Sequence, residues 1–205
     1  MKKLLIPISA IAVLFAACNQ AEQKHSENHV NEMKQDSTKN VMMQAMDESM
    51  VAMHQAKMIG NADYDFASMM IPHHQGAIVM AEIVVKQGKS TSLIEFAKKV
   101  IIAQKKEISL LKEFLKTANQ QPTKDAAAFK KAIEASMTPM MEGMEKVKLT
   151  NNIDKDFVAL MIPHHQSAVA MAKAYLPYAT NYNIRTIAEQ ILATQKEEIA
   201  WLKTQ

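Results

Sequence analysis

Methionine and histidine side chains in two similar segments are the residues of this chain whose types and spacing best suit chemistry. The segment DYDFASMMIPHHQGAIVMA at 63–81 recurs 91 positions later as DKDFVALMIPHHQSAVAMA at 154–172, with 12 of the 19 positions identical. Thioether sulfur is a soft donor that suits Cu(I) and Ag(I), and imidazole accepts Cu(I), Cu(II) and Zn(II). The repeated set therefore predicts a copper site. Its candidate ligands are Met70, His73, His74, Met80, Met161, His164, His165 and Met171.

A structural role for the same side chains stays open. A methionine stripe on a helix is usually core filler, because the flexible thioether packs into irregular gaps. A buried histidine pair can equally be held by hydrogen bonds without a metal. Leu160 stands in the second copy where Met69 stands in the first, so the repeat does not require a methionine at that position. Repetition of the other methionines and of both histidine pairs favours metal binding.

Polar residues that recur within the apolar stripe of a later segment form a second matched set. The segment IIAQKKEISLLK at 101–112 aligns without a gap with LATQKEEIAWLK at 192–203. A polar side chain on a buried helix face needs a partner. These side chains either orient metal-binding histidines by accepting their ring N–H groups, or form a buried polar network that fixes the register of the helices. The residues are Gln104, Glu107, Gln195 and Glu198.

A methionine-rich segment precedes each histidine motif, at about 40–58 and 125–147. Its methionines are spaced three and four apart, which predicts that they share one face of a helix. Such a face packs into a core in many proteins, but it also suits a row of soft ligands that would add metal capacity. The candidate additional ligands are Met46, Met50, Met53, His54, Met137, Met141 and Met144.

Apolar residues elsewhere recur with the 3.6-residue period of a helix, and no strand pattern is present. A helix is expected over 65–87, with Asp63 or Asp65 as its N-cap. Pro72 lies inside that pattern and removes a backbone hydrogen bond there. We expect a kinked helix at this proline; the alternative is a short turn that ends there, with Pro72 starting the longer helix.

These patterns predict an all-α protein. The expected architecture is an up-and-down helical bundle built from two pseudo-symmetric repeats of about 91 residues. Each repeat contributes two long central helices, and its methionine-rich helix packs on the outside. The repeats cover about 41–115 and 132–205, within one bundle domain at 41–205.

The first 17 residues have the form of a secretory signal peptide. Their apolar stretch at 4–17 is too short to span a bilayer comfortably. It ends in LFAAC, which resembles a bacterial lipoprotein cleavage box and implies lipidation of Cys18. Residues 18–40 are polar and predict a flexible tether. We expect a lipoprotein at the periplasmic side of the cell envelope that contacts the membrane only through its lipid; an uncleaved anchor or a plain signal peptide is the alternative.

The charge and cysteine content exclude several classes of function. The formal net charge is +3 with a single arginine, and no basic stripe suited to nucleic acid is visible. Cys18 is the only cysteine, so no disulfide can form within the chain. A lipidated Cys18 would leave no free thiol, which fits an oxidising compartment where thioethers remain as soft sulfur ligands.

The combined motif resembles a known family. The pattern D-x-F-x-x-x-M-I-P-H-H-Q-x-A-x-x-M-A, followed by Q-x-x-E-I and a closing Leu-Lys, is similar in both copies to the ferritin-like domain-of-unknown-function family 305. The resemblance covers nearly all of 41–205. It implies a ferritin-like helical bundle in exported bacterial proteins, some of which bind copper through Met and His and are linked to copper tolerance. Position by position, it implies the same eight ligands in this sequence.

Three functions fit these observations to different degrees. The leading hypothesis is a non-enzymatic lipoprotein that buffers copper ions or passes them to a protein partner. A ferritin-like di-metal oxidase needs Glu-x-x-His on two helices, and the only such spacing is Glu22 to His25, in the tether. A metal-free helical module that binds a partner is the remaining alternative. The oligomeric state stays open.

Overall fold

The computed structural model describes residues 40–205, and every regular element among them is helical. The prediction of an all-α bundle is therefore confirmed. The predicted signal peptide at 1–17, the tether up to residue 39 and Cys18 lie outside the described residues. The helices are α1 (Val41–His54), α2 (Ala62–Gln87), α3 (Thr91–Thr117), α4 (Ala126–Glu145), α5 (Ile153–Tyr175) and α6 (Tyr182–Leu202), with a short 3₁₀ turn at Leu176–Tyr178.

The two repeats of the sequence become two sets of three helices. The long helices α2 and α3 pack against each other, as do α5 and α6, and α2 contacts α5 across the centre of the bundle. The methionine-rich helices α1 and α4 pack on α2 and α5 respectively. None of the helices within 40–205 combines the length and the apolarity needed to cross a bilayer.

Helix α2 begins earlier than the sequence predicts, and its cap is a different residue. Asn61 is the N-cap, in an extended conformation, and its side chain accepts a hydrogen bond from the backbone N–H of Tyr64. The expectation of Asp63 or Asp65 as the cap is therefore wrong. Asp65 instead accepts hydrogen bonds from the N–H groups of Ile59 and Gly60, at 2.7 and 2.9 Å, and so fixes the loop before the helix.

Both motif prolines lie inside continuous helices. Pro72 is an interior residue of α2 and Pro163 of α5. The alternative in which a short turn ends at Pro72 and a separate helix starts there is therefore wrong. The histidine pair that follows each proline belongs to the same helix as the residues before it, so each motif acts as one element.

Two aspartates, one from each repeat, connect the repeats to each other. Asp63 at the start of α2 accepts hydrogen bonds from the N–H groups of Thr180 and Asn181, just before α6. Its repeat counterpart Asp154, at the start of α5, accepts hydrogen bonds from the backbone N–H groups of residues 89 and 90, just before α3. Each motif helix thus begins where the other one ends, so α2 and α5 run antiparallel.

Helix α1 approaches α2 at a position where both helices carry a small residue. A Cβ atom built on Gly76 would lie 2.4 Å from the Cβ of Ser49 and 3.6 Å from Nε2 of His164. The Ser49 hydroxyl donates a hydrogen bond of 3.0 Å to the carbonyl oxygen of Pro72. The missing side chain at position 76 therefore allows α1 to pack against the histidine-bearing part of α2.

Candidate metal site

The four motif histidines meet where α2 and α5 cross. The ring centroids of His73 and His164 lie 3.9 Å apart, with an angle of 43° between the ring planes. Within each helix the two histidine rings are 6.1 Å apart. Each of the four side chains is at most 1% exposed. The antiparallel crossing therefore brings the two copies of the motif into one buried cluster of imidazoles.

Most ring nitrogens in this cluster have no hydrogen-bond partner. His164 donates from Nε2 to the backbone carbonyl oxygen of His73 at 3.0 Å, which leaves the lone pair of a neutral ring on Nδ1. Nδ1 of each of the four histidines is buried and unpartnered within residues 40–205, and both ring nitrogens of His73 are unpartnered. Buried polar atoms in folded proteins are normally satisfied, so these nitrogens are the atoms of the cluster that are available to a ligand.

Burial also keeps the two central histidines neutral. Removal from water lowers the pKa of His73 well below the ordinary value of 6.5, and the neighbouring imidazoles of His164, His74 and His165 lower it further. Burial, followed by His165 and His74, lowers the pKa of His164 in the same way. A neutral imidazole offers a lone pair to a metal ion, whereas a protonated one offers none. The two rings are therefore ready to coordinate at neutral pH.

A carboxylate from the neighbouring helix lies beside each outer histidine. Oε2 of Glu107 is 2.7 Å from Nε2 of His74, and Oε2 of Glu198 is 3.0 Å from Nε2 of His165. These distances are short enough for hydrogen bonds, but the ring N–H groups do not point at the carboxylate oxygens. Each contact is therefore a close approach of a charged carboxylate to a polar ring. The same contact occurs in both halves, so both predicted glutamates lie beside a motif histidine.

The two predicted glutamines lie on the same helices as the glutamates, α3 and α6. Gln104 and Gln195 are buried, and the Oε1 atom of each lacks a hydrogen-bond partner in the described chain. The contacts of the glutamates with the histidines are therefore observed, whereas neither glutamine oxygen forms a hydrogen bond within residues 40–205.

Glu107→Gln is expected to weaken copper binding by about 10- to 100-fold. The carboxylate beside Nε2 of His74 makes that ring a better donor through its other nitrogen, and a neutral amide does so less. The measurement is a competition titration of the copper-free chain against a chromophoric chelator. Glu113→Gln is the matched control, because Glu113 lies on the same helix but on its exposed face. Equal affinities for Glu107→Gln and the parent would show that the carboxylate does not support the site.

The predicted methionine ligands divide into two groups on either side of the crossing. Met70 packs in one apolar cluster with Met171 of the other repeat. Met80 packs in a second cluster with Met161. All four are fully buried. Because α2 and α5 are antiparallel, each cluster combines the early predicted ligand of one motif with the late predicted ligand of the other.

The methionines of the outer helices also separate. Met46 is buried in the second cluster, with Met50 and Met144 packed against it. Met53 is buried in the first cluster, with Met137 packed against it. Met141 is 49% exposed, so the prediction that the methionines of α4 face one way is wrong at this position. Its chain neighbour Met140 is buried instead, because adjacent helix positions point about 100° apart.

No group of three or more His, Cys, Asp or Glu side chains in the described part of the chain is arranged to hold a metal ion. Coordination by the histidines therefore requires rotation of the imidazoles or a thioether as a further donor. Sequence reasoning missed Gly76 and Ser49, which shape the surroundings of His164. The signal available for Gly76 was its rarity, since the whole chain has only 4 glycines.

The chain matches one protein family and is similar to several solved structures. The family described as "Domain of unknown function (DUF305)" matches residues 8–115 and 63–205. No curated protein matches the chain. Similar solved structures include CopM in the apo form, with 28% identity and a TM-score of 0.53 over 69% of this chain and 93% of that chain. CopM in the Cu(II)-bound form has 26% identity and a TM-score of 0.54, and the Cu(I)-bound form has 27% and 0.51, over the same shares.

Proposed function

The chain belongs to the DUF305 family, and from that premise we propose that it binds copper at the crossing of α2 and α5. The observation that carries the proposal is the buried group of imidazoles in which Nδ1 of all four histidines lacks a hydrogen-bond partner. Similarity to CopM, whose solved forms include Cu(II)-bound and Cu(I)-bound structures, supports the same ligand. Copper is the cargo of the site, not a reagent for catalysis.

The chemistry of the crossing suits copper better than a hard cation. Imidazole nitrogen binds both oxidation states of copper, whereas Mg²⁺ and Ca²⁺ prefer oxygen ligands. His73 and His164 offer neutral rings at the centre. Glu107 and Glu198 each face one histidine, so they support the rings and are not grouped as in a carboxylate-bridged di-metal centre. We therefore propose a binding protein that is not an enzyme.

We propose further that the protein works outside the cytoplasm as a lipoprotein that buffers copper, transfers it or confers tolerance to it. The signal-like stretch at 4–17 and the following Cys18 support this location. Exposure to an oxidising compartment would disable thiolate ligands, whereas imidazoles and thioethers remain usable. Mass spectrometry of the N-terminal peptide should find a diacylglyceryl group on Cys18, and a free thiol there would contradict the anchor.

The central histidines are tested by the double substitution His73→Gln and His164→Gln in the full chain. Cys18→Ser is present in every sample, so that the single thiol does not compete for copper. Gln keeps a neutral polar side chain but removes the imidazole donors, and the double variant should lose at least tenfold in affinity or one copper equivalent. Both Cu(I) under anaerobic conditions and Cu(II) are titrated against chromophoric chelators.

Two controls make this titration decisive. His29→Gln removes an imidazole far along the sequence from both motifs and should bind copper as the parent does. Far-ultraviolet circular dichroism reports whether the double variant keeps its helices. If it stays helical and binds copper with unchanged stoichiometry and affinity, the crossing is not the copper site.

A further inference from the structure

A cleft of about 410 Å³ lies at one end of the bundle, bounded by α1, the loop after it, α2 and α4. Four methionines and one histidine line this cleft, and none of the four motif histidines does. The residues are Met53, His54, Met58, Met69 and Met137. Met58 is 42% exposed, and His54 is exposed as well, so solvent reaches these side chains. The cleft is therefore distinct from the buried crossing.

Two carboxylates line the cleft, and one of them is engaged by the backbone. Asp65 accepts hydrogen bonds from two backbone N–H groups of the preceding loop. Glu134 lies 3.9 Å from the ammonium group of Lys130, one helical turn away. The other potential donors that line the cleft are four thioethers and one imidazole. A cleft with this inventory suits a soft cation and offers little to Mg²⁺ or Ca²⁺.

The hydrogen bond made by His54 leaves its other ring nitrogen available to a metal ion. Its Nδ1 lies 2.7 Å from the carbonyl oxygen of Met50, and a carbonyl oxygen only accepts, so Nδ1 carries the proton. The lone pair of the neutral ring is then on Nε2, which is the nitrogen free to bind a metal. The hydrogen bond fixes the tautomer in the way that partners of metal-binding histidines commonly do.

The repeat shows that this set is particular to one end of the molecule. Leu149 and Leu160 occupy the positions that correspond to Met58 and Met69, and Glu145 corresponds to His54. Leucine at two of these positions is evidently compatible with the shared fold. The sulfur atoms at 58 and 69 are therefore not needed for packing as such, and both face the same cleft.

From these observations we infer that the cleft between α1 and α4 binds one soft monovalent cation, Cu(I) or Ag(I), through ligands drawn from the thioethers of Met53, Met58, Met69 and Met137 and the imidazole of His54. Flexible methionine side chains can converge on an ion without moving the backbone. The site is open to solvent, whereas the histidine crossing is buried. The inference rests on the lining of the cleft and does not depend on copper binding at the crossing.

The double substitution Met58→Leu and Met69→Leu tests the site. It keeps volume and apolarity, and it copies the residues that the second repeat already has. In the full chain with Cys18→Ser, the parent should bind one more equivalent of Cu(I) than this variant in an anaerobic chelator titration. Met43→Leu with Met140→Leu is the matched control, since neither residue lines the cleft, and it should bind as the parent does.

A second measurement reads the ligands directly. Chains labelled with [methyl-¹³C]methionine are titrated with Ag(I), which is a redox-inert probe of the same softness. The methyl resonances of Met53, Met58, Met69 and Met137 should shift together, and those of Met43 and Met140 should not.

Unchanged Cu(I) stoichiometry and affinity in the Met58→Leu, Met69→Leu variant, or unshifted cleft resonances, would overturn the inference. If that variant behaves as the parent while His73→Gln with His164→Gln loses an equivalent, the proposed function stands and the cleft site is wrong. If only the cleft variant loses an equivalent, the cleft site stands and the crossing is wrong.

Discussion

Acidification of the copper-free protein from pH 7 to 5.5 is expected to lower its free energy of unfolding by about 2.5 kcal/mol. The expectation follows from His73 and His164, whose folded-state pKa lies well below the ordinary value of 6.5 because both rings are buried among other histidines. In the unfolded chain each ring takes up a proton as the pH falls through about 6.5, whereas in the folded protein neither does. Protons therefore favour the unfolded state.

The sign and the window follow from the same pKa shifts. Stability is flat above the unfolded pKa, where both states are neutral, and falls below it by up to about 1.4 kcal/mol per pH unit for each histidine. Denaturant unfolding followed by circular dichroism at several pH values measures the effect. His164→Gln should remove about half of it. A profile that stays flat from pH 7 to 5.5 is incompatible with neutral buried rings.

Asp63→Ala is expected to cost about 3 kcal/mol of stability. The carboxylate accepts a 2.5 Å hydrogen bond from the buried hydroxyl of Tyr175, backbone N–H groups of Thr180 and Asn181, and the hydroxyl of Thr180. Removal leaves the tyrosine hydroxyl buried without a partner, at about 1–3 kcal/mol, and takes the acceptor from two backbone N–H groups just before α6. Denaturant unfolding of the copper-free chain measures the loss.

The repeat provides a matched control for this substitution. Asp154→Ala removes the corresponding carboxylate, which accepts only from the two backbone N–H groups before α3, so we expect a loss of about 1 kcal/mol. Tyr175→Phe should be costly in the parent and nearly neutral beside Asp63→Ala, because the hydroxyl then has no carboxylate to lose. Equal losses for the two aspartates would mean that Tyr175 contributes nothing to the contact.

Much of the fold was accessible to sequence reasoning because the apolar period and the internal repeat are local properties. They predicted the helical class, two central helices in each repeat and the methionine-rich helix packed outside. The predicted cap of α2 was wrong for a simple reason. Asn61, Asp63 and Asp65 all precede or occupy the first turn of the helix, and composition does not decide which side chain reaches the open N–H groups. That choice depends on the backbone conformation at Asn61.

The candidate site was predictable in its residue types but not in its grouping. The pairs at 73–74 and 164–165 followed from the repeat, but their convergence depends on the antiparallel crossing of two helices about 90 residues apart in sequence. The same crossing assigns Met70 to the cluster of Met171, which no spacing within a motif could reveal. Nothing in the sequence was a reason to select Met69, because the second repeat has no methionine at that position. Met69 nevertheless lines the cleft.

The reciprocal contacts of Asp63 and Asp154 bear on how such a chain could have arisen. Each carboxylate accepts hydrogen bonds from N–H groups just before a helix of the other half, so a fragment with one half alone would carry both an unused acceptor and N–H groups without that acceptor. Two identical fragments related by a twofold axis would satisfy both needs at once. The arrangement is thus what gene duplication and fusion of a homodimer would leave behind, and cutting the chain within 118–125 should yield halves that are stable only when they reassociate.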